Sequence, residues 1–322
     1  MNALEVNHLC TSFFTPKGEL KAVDDVSLTV PKGKVIGVVG ESGCGKSMTA
    51  RSIIRLLKYP GKVVGGSVKL EDKELLTLTE AEMANVRGEE ISMIFQEPMT
   101  SLNPVMKVGK QVMEVIRLHR KVTKKEAKEE TLRIFEKVGI SEPEKRFYSY
   151  PHELSGGLRQ RVMIAMAMVC RPKLLIADEP TTALDVTVEA QILDLMNKLR
   201  NSTGMSMIMI SHNLGVVAEI CDYVYVMYAG QVVEEAETFE LFDNPKHPYT
   251  IGLMNSVTSL ERQQEHLDTI PGAVPNLRNL PTGCRFAPRC AHCTEACLNA
   301  APELYTVKEG HRARCFREQE AN

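Results

Sequence analysis

The stretch GESGCGKS, residues 40–47, constrains this chain more than any other eight residues in it. It fits the pattern G-x-x-x-x-G-K-[ST] and follows directly on KVIGVVG (34–40), a short apolar run ending in glycine that predicts a buried strand. A helix is predicted after it, from Lys46 to about Leu57. In that setting the backbone curls around phosphate oxygens, and successive N–H groups and the helix N-terminus face the anion. Gly40, Gly43 and Gly45 permit the curl, and Ser42, Cys44 and Met48 complete the loop residues expected against a nucleotide. Lys46 is expected to reach the β- and γ-phosphates, and the Ser47 hydroxyl to ligate Mg²⁺.

Downstream, KLLIAD (173–178), SMIMIS (206–211) and YVYVMY (223–228) are continuous apolar runs, as strands buried on both faces would be. Between the first two, Val188, Ile192, Leu195, Met196 and Leu199 form one helical stripe, with Gly204 as its stop. Strand, helix, strand at this spacing predicts parallel βαβ units and an α/β fold. The strand ending at Asp178 delivers a metal-binding carboxylate to its carboxyl end, and Glu179 comes next. In a dry pocket beside a terminal phosphate, that second carboxylate can orient and polarise an attacking water.

The segment up to about residue 40 reads as β-rich, and residues 97–160 read as helical. Thr123 with Glu126 three residues on is a capping-box signature, and Leu132, Phe135 and Val138 recur at helical spacing. The Lys/Glu mixture around them reads as a solvated face. Near residue 236 the composition shifts to DNPKHPYT and TIPGAVPNLRNLPTGC, rich in proline and asparagine with weak periodicity. The expected organisation is a nucleotide-binding domain over 1–235, with a helical subdomain at about 97–160, and an accessory region over 236–322 with little regular structure.

Apolar residues make up 43% of the chain and charged residues 25%, and the formal net charge is −2. That balance suits a globular protein with a substantial core and provides no global field for nucleic acid or anionic lipid. MNALEVNHLC has neither a basic start nor an apolar stretch of the signal-peptide kind. No apolar run approaches the ~20 residues that span a bilayer, so a cytosolic setting is expected.

LSGGLRQR (154–161) resembles the signature sequence of ABC ATPases. Gln96 in MIFQEP, Asp185 in TTALD and His212 in MISHN stand in that family's order and spacing, so the resemblance covers roughly residues 5–235. It implies a P-loop ABC ATPase fold: a β-rich subdomain, a parallel-sheet RecA-like core and a helical subdomain, here followed by a small irregular metal-binding extension. Ser155, Gly156 and Gly157 open a helix predicted to run to about Cys170, and an opening helix presents N–H groups and a positive dipole end. In the family this end caps the γ-phosphate of ATP held by the opposite subunit, which implies a head-to-tail dimer closing on two ATP. The resemblance makes Asp178 a Mg²⁺ ligand and Glu179 the general base. Gln96 would sense Mg²⁺ and the attacking water, His212 would contact the γ-phosphate, and Asp185 would lie at the dimer seam. An aromatic ring of the first hairpin stacks on adenine in the family, and CTSFFTPKG offers Phe13, preferred over Phe14.

FQEPMTSLNP (95–104) and NPKHPYT (244–250) resemble the peptide and nickel importer ATPases, and GCRFAPRC (283–290) resembles the tail of the D-type peptide subunit. This implies a peripheral protein on the cytoplasmic face of the membrane. Its partners would be a second ATPase, commonly F-type, and two membrane permease subunits, with an extracytoplasmic solute-binding protein supplying a dipeptide or oligopeptide. Import of nickel or a metallophore stays open. So does a soluble, non-transport ATPase with a redox or structural metal centre, although one nucleotide domain and no basic patch speak against a nucleic-acid role.

Five of the nine cysteines fall within residues 284–315. Thiolates crowded together in a reducing compartment suggest metal ligation rather than disulfides. Family resemblance selects Cys284, Cys290, Cys297 and Cys315 for a [4Fe–4S] cluster, with Cys293 as an alternative ligand. Zinc on the Cys290–Cys293 pair with His292 or His311 nearby is a second reading, and free thiols in a loop are a third. A Pro-rich tail with little apolar content would draw folding free energy from such a site. Cys10, Cys44, Cys170 and Cys221 read as buried small side chains, with Cys44 expected to be sensitive to thiol reagents.

Overall fold

The computed structural model describes residues 1–96, 101–182, 184–261 and 270–319, so Glu97–Thr100 of FQEPMTSLNP and Ala183 of TTALD lie outside the described residues. In chain order come β1 (Asn2–Thr15), β2 (Gly18–Pro31), β3 (Val35–Val39), α1 (Lys46–Ile53), β4 (Gly61–Leu70), β5 (Lys73–Glu74), α2 (Glu80–Val86) and β6 (Ile91–Ile94). There follow α3 (Val108–His119), α4 (Lys124–Lys137), α5 (Pro143–Phe147), α6 (Gly156–Met168), β7 (Leu174–Asp178), α7 (Val186–Thr203), β8 (Ser206–Ile210), α8 (Leu214–Ile220), β9 (Tyr223–Tyr228) and β10 (Gln231–Glu237). The last part holds α9 (Thr238–Asp243), α10 (Pro248–Glu261), α11 (Glu295–Asn299), β11 (Tyr305–Lys308), β12 (His311–Ala313) and α12 (Phe316–Gln319).

The chain forms two compact units. One consists chiefly of the described residues of Thr77–Ile208. Here β6 and β7 pair in parallel, from Ile91 opposite Leu174 to Ile94 opposite Ala177, and β7 is buried along its whole length. The capping box that starts α4 is formed: Thr123 Oγ1 accepts from Glu126 N–H, and the Glu126 carboxylate accepts from Thr123 N–H at 2.7 Å. Ala127, Thr131, Ile134 and Phe135 are the buried face of this helix, which leaves its Lys/Glu face to water. In α7 the apolar stripe Ile192, Leu195, Met196 and Leu199 is buried, and Gly204 ends the helix at φ 69°.

The other unit contains Asn2–Val30, Lys34–Leu76 and the described residues from Met209 onward. Its antiparallel sheet has the order β2-β1-β4-β5. A second sheet region runs β11-β12-β10-β9-β3. Within it β3 and β9 are parallel, Ile36 facing Tyr223 through Val39 facing Val226. A parallel pair in each unit is what the continuous apolar runs predicted, because strands covered on both faces need no polar alternation.

Two expectations need correction. The helix after the phosphate loop ends at Ile53, not near Leu57. Arg55 turns left-handed at φ 54°, with Arg55 N–H bonded to Ser52 O and Leu56 N–H to Arg51 O. This is a Schellman stop with arginine where glycine is usual, so nothing in the composition announced it. The accessory region is also more regular than its proline content suggested. β12 pairs with β10 through Glu234–Ala313 and Glu235–Arg312, so the chain end adds a hairpin to the sheet of its own unit.

Candidate nucleotide site

The phosphate loop leaves β3 and enters α1. Gly45 stands before the helix at φ 108°, and Gly40 leaves the strand at φ 145°. A Cβ on Gly40 would lie 2.2 Å from Met227 O, and one on Gly45 2.8 Å from Ala22 O, so both positions are too tight for a side chain. Ser42 and Gly43 are exposed, whereas Cys44 and Lys46 are buried. The Lys46 ammonium donates to Gly40 O at 2.7 Å and Glu41 O at 3.0 Å. Ser47 and Met48 are half-buried in the first turn of α1. Cys44 is fully buried, and burial pushes its thiol pKa up against the attraction of Lys46. That runs against the expected sensitivity to thiol reagents, since the thiolate is the reactive form. Cys10 is half-exposed rather than buried.

In the same unit His212 is exposed just past β8. Phe13 is half-buried and pairs with Gly61, where an added Cβ would lie 2.8 Å from the Phe13 ring, while Phe14 is 48% exposed.

In the unit around Thr77–Ile208, Asp178 is fully buried at the carboxyl end of β7. Glu179 follows in a left-handed conformation, φ 47°, which costs a side-chain-bearing residue about 1–2 kcal/mol. Its carboxylate is fixed there: Gln96 Nε2 donates to Oε2 at 2.8 Å and Thr182 Oγ1 donates to the same oxygen at 3.0 Å. Ser155 caps α6, accepting from Leu158 N–H, and Ser155 and Gly156 are exposed at the helix start. A Cβ on Gly157 would meet Val188 at 3.0 Å, so this helix start lies close against the opening turn of α7. Asp185 is exposed and caps α7 by accepting from Val188 N–H at 2.9 Å.

Among the described residues no three of His, Cys, Asp and Glu stand in metal-ligating geometry. Cys284, Cys290, Cys297 and Cys315 nevertheless line one cavity of about 80 Å³, together with His292 and apolar walls that include Phe286, Ala287 and Phe316. Cys293 is exposed and does not line it. Burial raises the Cys315 thiol to about 11, and the neighbouring Cys284, Cys290 and Cys297 push it the same way. Burial raises the thiols of Cys284 and Cys290 as well, and a cationic centre in this cavity would reverse that penalty. His311 is not available to it: it is fully buried between Glu234, at 2.8 Å, and Glu240, at 3.2 Å.

Three contributors escaped the sequence reading. Thr182 holds Glu179, and Tyr249 and Arg289 both bond to Glu41 in the phosphate loop. Arg289 stands inside GCRFAPRC, a motif in which the cysteines drew the attention.

Residues 23–182 match the ABC transporter family, and residues 233–297 match the oligopeptide/dipeptide transporter C-terminal region. The chain is 53% identical over 314 residues to the oligopeptide transport ATP-binding protein OppD of Salmonella typhimurium, covering 98% of this chain and 93% of that protein. It is 51% identical to the oligopeptide transport ATP-binding protein AppD of Bacillus subtilis, over 97% and 96% of the two chains. Among solved structures it is similar to the ATP-binding cassette MJ0796 in a dimeric post-hydrolysis state bound to ADP and Pi. The TM-score is 0.66 at 24% identity, covering 73% of this chain and 98% of that one. A similar likeness holds for cbiO1 of Clostridium perfringens, part of a cbiONQ ABC transporter complex, with TM-score 0.65 at 24% identity over 82% and 99%.

Proposed function

This chain belongs to the ABC transporter family, as an ATP-hydrolysing subunit that carries the oligopeptide/dipeptide transporter C-terminal region, and from that premise we propose that it drives import of peptides. The observation that carries the reading is likeness over nearly the whole chain, tail included, to oligopeptide transport ATP-binding proteins.

Lys46 and the loop N–H groups would hold the ATP phosphates, Ser47 and Asp178 would hold Mg²⁺, and Phe13 would stack on adenine. Bound Mg²⁺ would supply charge neutralisation on the phosphate oxygens. Glu179 is the base that takes the proton of the attacking water, and the hydrogen bonds from Gln96 and Thr182 support that role by fixing its carboxylate. His212 contacts the γ-phosphate. Ser155, Gly156 and Gly157 cap the ATP of a partner ATPase in a head-to-tail dimer, with Asp185 at the seam. The partner is an F-type subunit, the pair docks on two permease subunits at the cytoplasmic face, and a solute-binding protein delivers the peptide. Among the described residues no helix is long and apolar enough to cross a membrane.

For the tail we propose a [4Fe–4S] cluster on Cys284, Cys290, Cys297 and Cys315, supported by their shared cavity. Zinc is the alternative occupant.

The test is uptake. Deleting the encoding gene should abolish accumulation of a labelled oligopeptide, and the wild-type chain, but not Lys46→Ala, should restore it. The tagged chain should recover integral-membrane partners from solubilised membranes. Normal peptide uptake in the deletion strain with loss of nickel uptake would replace the substrate, and the absence of any membrane partner would overturn the transport reading.

A further inference from the structure

The phosphate loop is held from outside by the cysteine-bearing tail, and the hold is on one residue. Glu41 is the first variable position of GESGCGKS, and its carbonyl is one of the two that receive the Lys46 ammonium. Its backbone N–H donates to Tyr249 Oη at 2.7 Å. Its carboxylate receives a two-pronged contact from Arg289, Nη1 to Oε2 at 2.6 Å and Nη2 to Oε1 at 3.0 Å. The Arg289 side chain is only 4% exposed. Its Nε donates to Pro271 O at 2.8 Å and Nη2 also donates to Ile270 O at 3.2 Å, so the guanidinium cannot swing. Beneath it Tyr228, Tyr249 and Phe286 pack ring to ring, with centroids 4.7–5.5 Å apart.

This arrangement has an electrostatic consequence. A carboxylate inside a loop that receives a polyphosphate opposes the ligand unless it is neutralised and aimed away. A planar fork anchored on backbone carbonyls does both, which a flexible ammonium would not. Arg289 immediately precedes Cys290, which lines the thiol cavity.

We propose that Arg289, assisted by Tyr249, is a positioning residue for nucleotide binding: it locks Glu41, and through it the phosphate loop, so that the C-terminal extension sets ATP affinity. The inference rests on the reading of residues 40–47 as the nucleotide loop, and it needs no metal in the cavity.

The experiment uses the full chain, with fluorescent-ATP titration, steady-state hydrolysis and thermal melts. Arg289→Met should raise Kd and KM for ATP roughly tenfold, the size expected for losing a charge-assisted fork, with a much smaller change in kcat. Arg289→Lys should fall between. Glu41→Gln with Arg289→Met should bind no more weakly than Arg289→Met alone, because the two act through one contact. Arg312→Met is the control for loosening the extension. It breaks the pair with Glu235 on β10, far along the chain from the loop, and should lower Tm without moving Kd. An unchanged Kd in Arg289→Met, penalties that simply add, or an equal Kd shift in Arg312→Met at matched Tm would each overturn the proposal. Lys46→Ala keeps the two readings apart: intact ATP binding there would remove the loop assignment itself.

Discussion

At Glu179 the chain leaves the extended geometry of β7 and turns left-handed within one residue. Such a conformation persists only where surrounding contacts hold it, and here the contacts fall on the carboxylate itself, from Gln96 and Thr182. Glu179→Gln keeps the size and the turn but removes the proton acceptor. Turnover should fall by about a hundredfold or more while ATP remains bound, as read by phosphate release against retained labelled ATP; wild-type turnover would remove Glu179 as the base. Gly40 poses the opposite problem, a residue defined by missing atoms. An alanine Cβ would sit 2.2 Å from Met227 O, at a φ of 145° that only glycine adopts freely. Gly40→Ala should therefore shift the loop, weaken ATP binding by more than tenfold and cost about 1–3 kcal/mol in stability. Unaltered binding with unaltered Tm would show that this backbone yields more readily than its contacts imply.

At the scale of elements, legibility in the sequence followed the range of the forces involved. β9 spans the six residues read from YVYVMY, because a strand buried on both faces writes its own apolar run. The α4 capping box and the Gly204 stop were legible for the same reason: each is settled within a few residues. The glycines of the phosphate loop were legible as a pattern, although the contacts that exclude a Cβ come from Ala22 and Met227. What stayed hidden is long-range. Arg289 and Glu41 are 248 residues apart in sequence, and no local pattern couples them. The β11–β12 hairpin was hidden likewise, since its reason is His311, buried among Glu234 and Glu240. Burial alone would lower the pKa of that histidine, but its hydrogen bonds to the two carboxylates outweigh this and raise it. A group raised on folding contributes stability that is fully present below its ordinary pKa and is lost as pH rises through the folded value. The Glu240 carboxylate is held down at about 2, chiefly by Lys308, so its contribution is present above the ordinary carboxylate pKa and is lost only as pH falls through the folded value. Hydrogen exchange in β12 should thus show weaker protection above the His311 pKa than at pH 6, after correction for the intrinsic rate. His311→Gln should flatten that dependence, and an equal pH response in both proteins would assign it elsewhere.

For the whole molecule, the question is what makes a tail of this composition fold. Prolines and polar residues bury little apolar surface, yet Phe286, Ala287 and Cys315 are buried and the β11–β12 hairpin is formed, with one irregularity between Thr306 and Lys308. Part of the answer is a set of anchoring contacts: His311 between Glu234 and Glu240, Arg289 bound to Glu41, and Arg285 bound to Asp24 and to Ala229 O. A further proposed part is the cavity that gathers Cys284, Cys290, Cys297 and Cys315. Left as thiols they are one buried and three half-buried polar groups, with pKa values raised by burial at Cys284, Cys290 and Cys315, and packing them together returns little. As thiolates around the proposed cluster they would supply folding free energy, because binding and folding would become one equilibrium. Purified without oxygen, the chain should carry about four irons with matching sulfide and a broad absorbance near ~400 nm. Cys290→Ser should lose the metal and lower Tm. Cys293→Ser, altering an exposed thiol outside the cavity, should leave both unchanged. One zinc per chain without colour would keep the staple and change its metal, and metal loss in Cys293→Ser would then bring that residue into the ligand set. A protein with neither iron nor zinc and with an undiminished Tm would leave the tail held by protein contacts alone, Arg285, Arg289 and the His311 network among them.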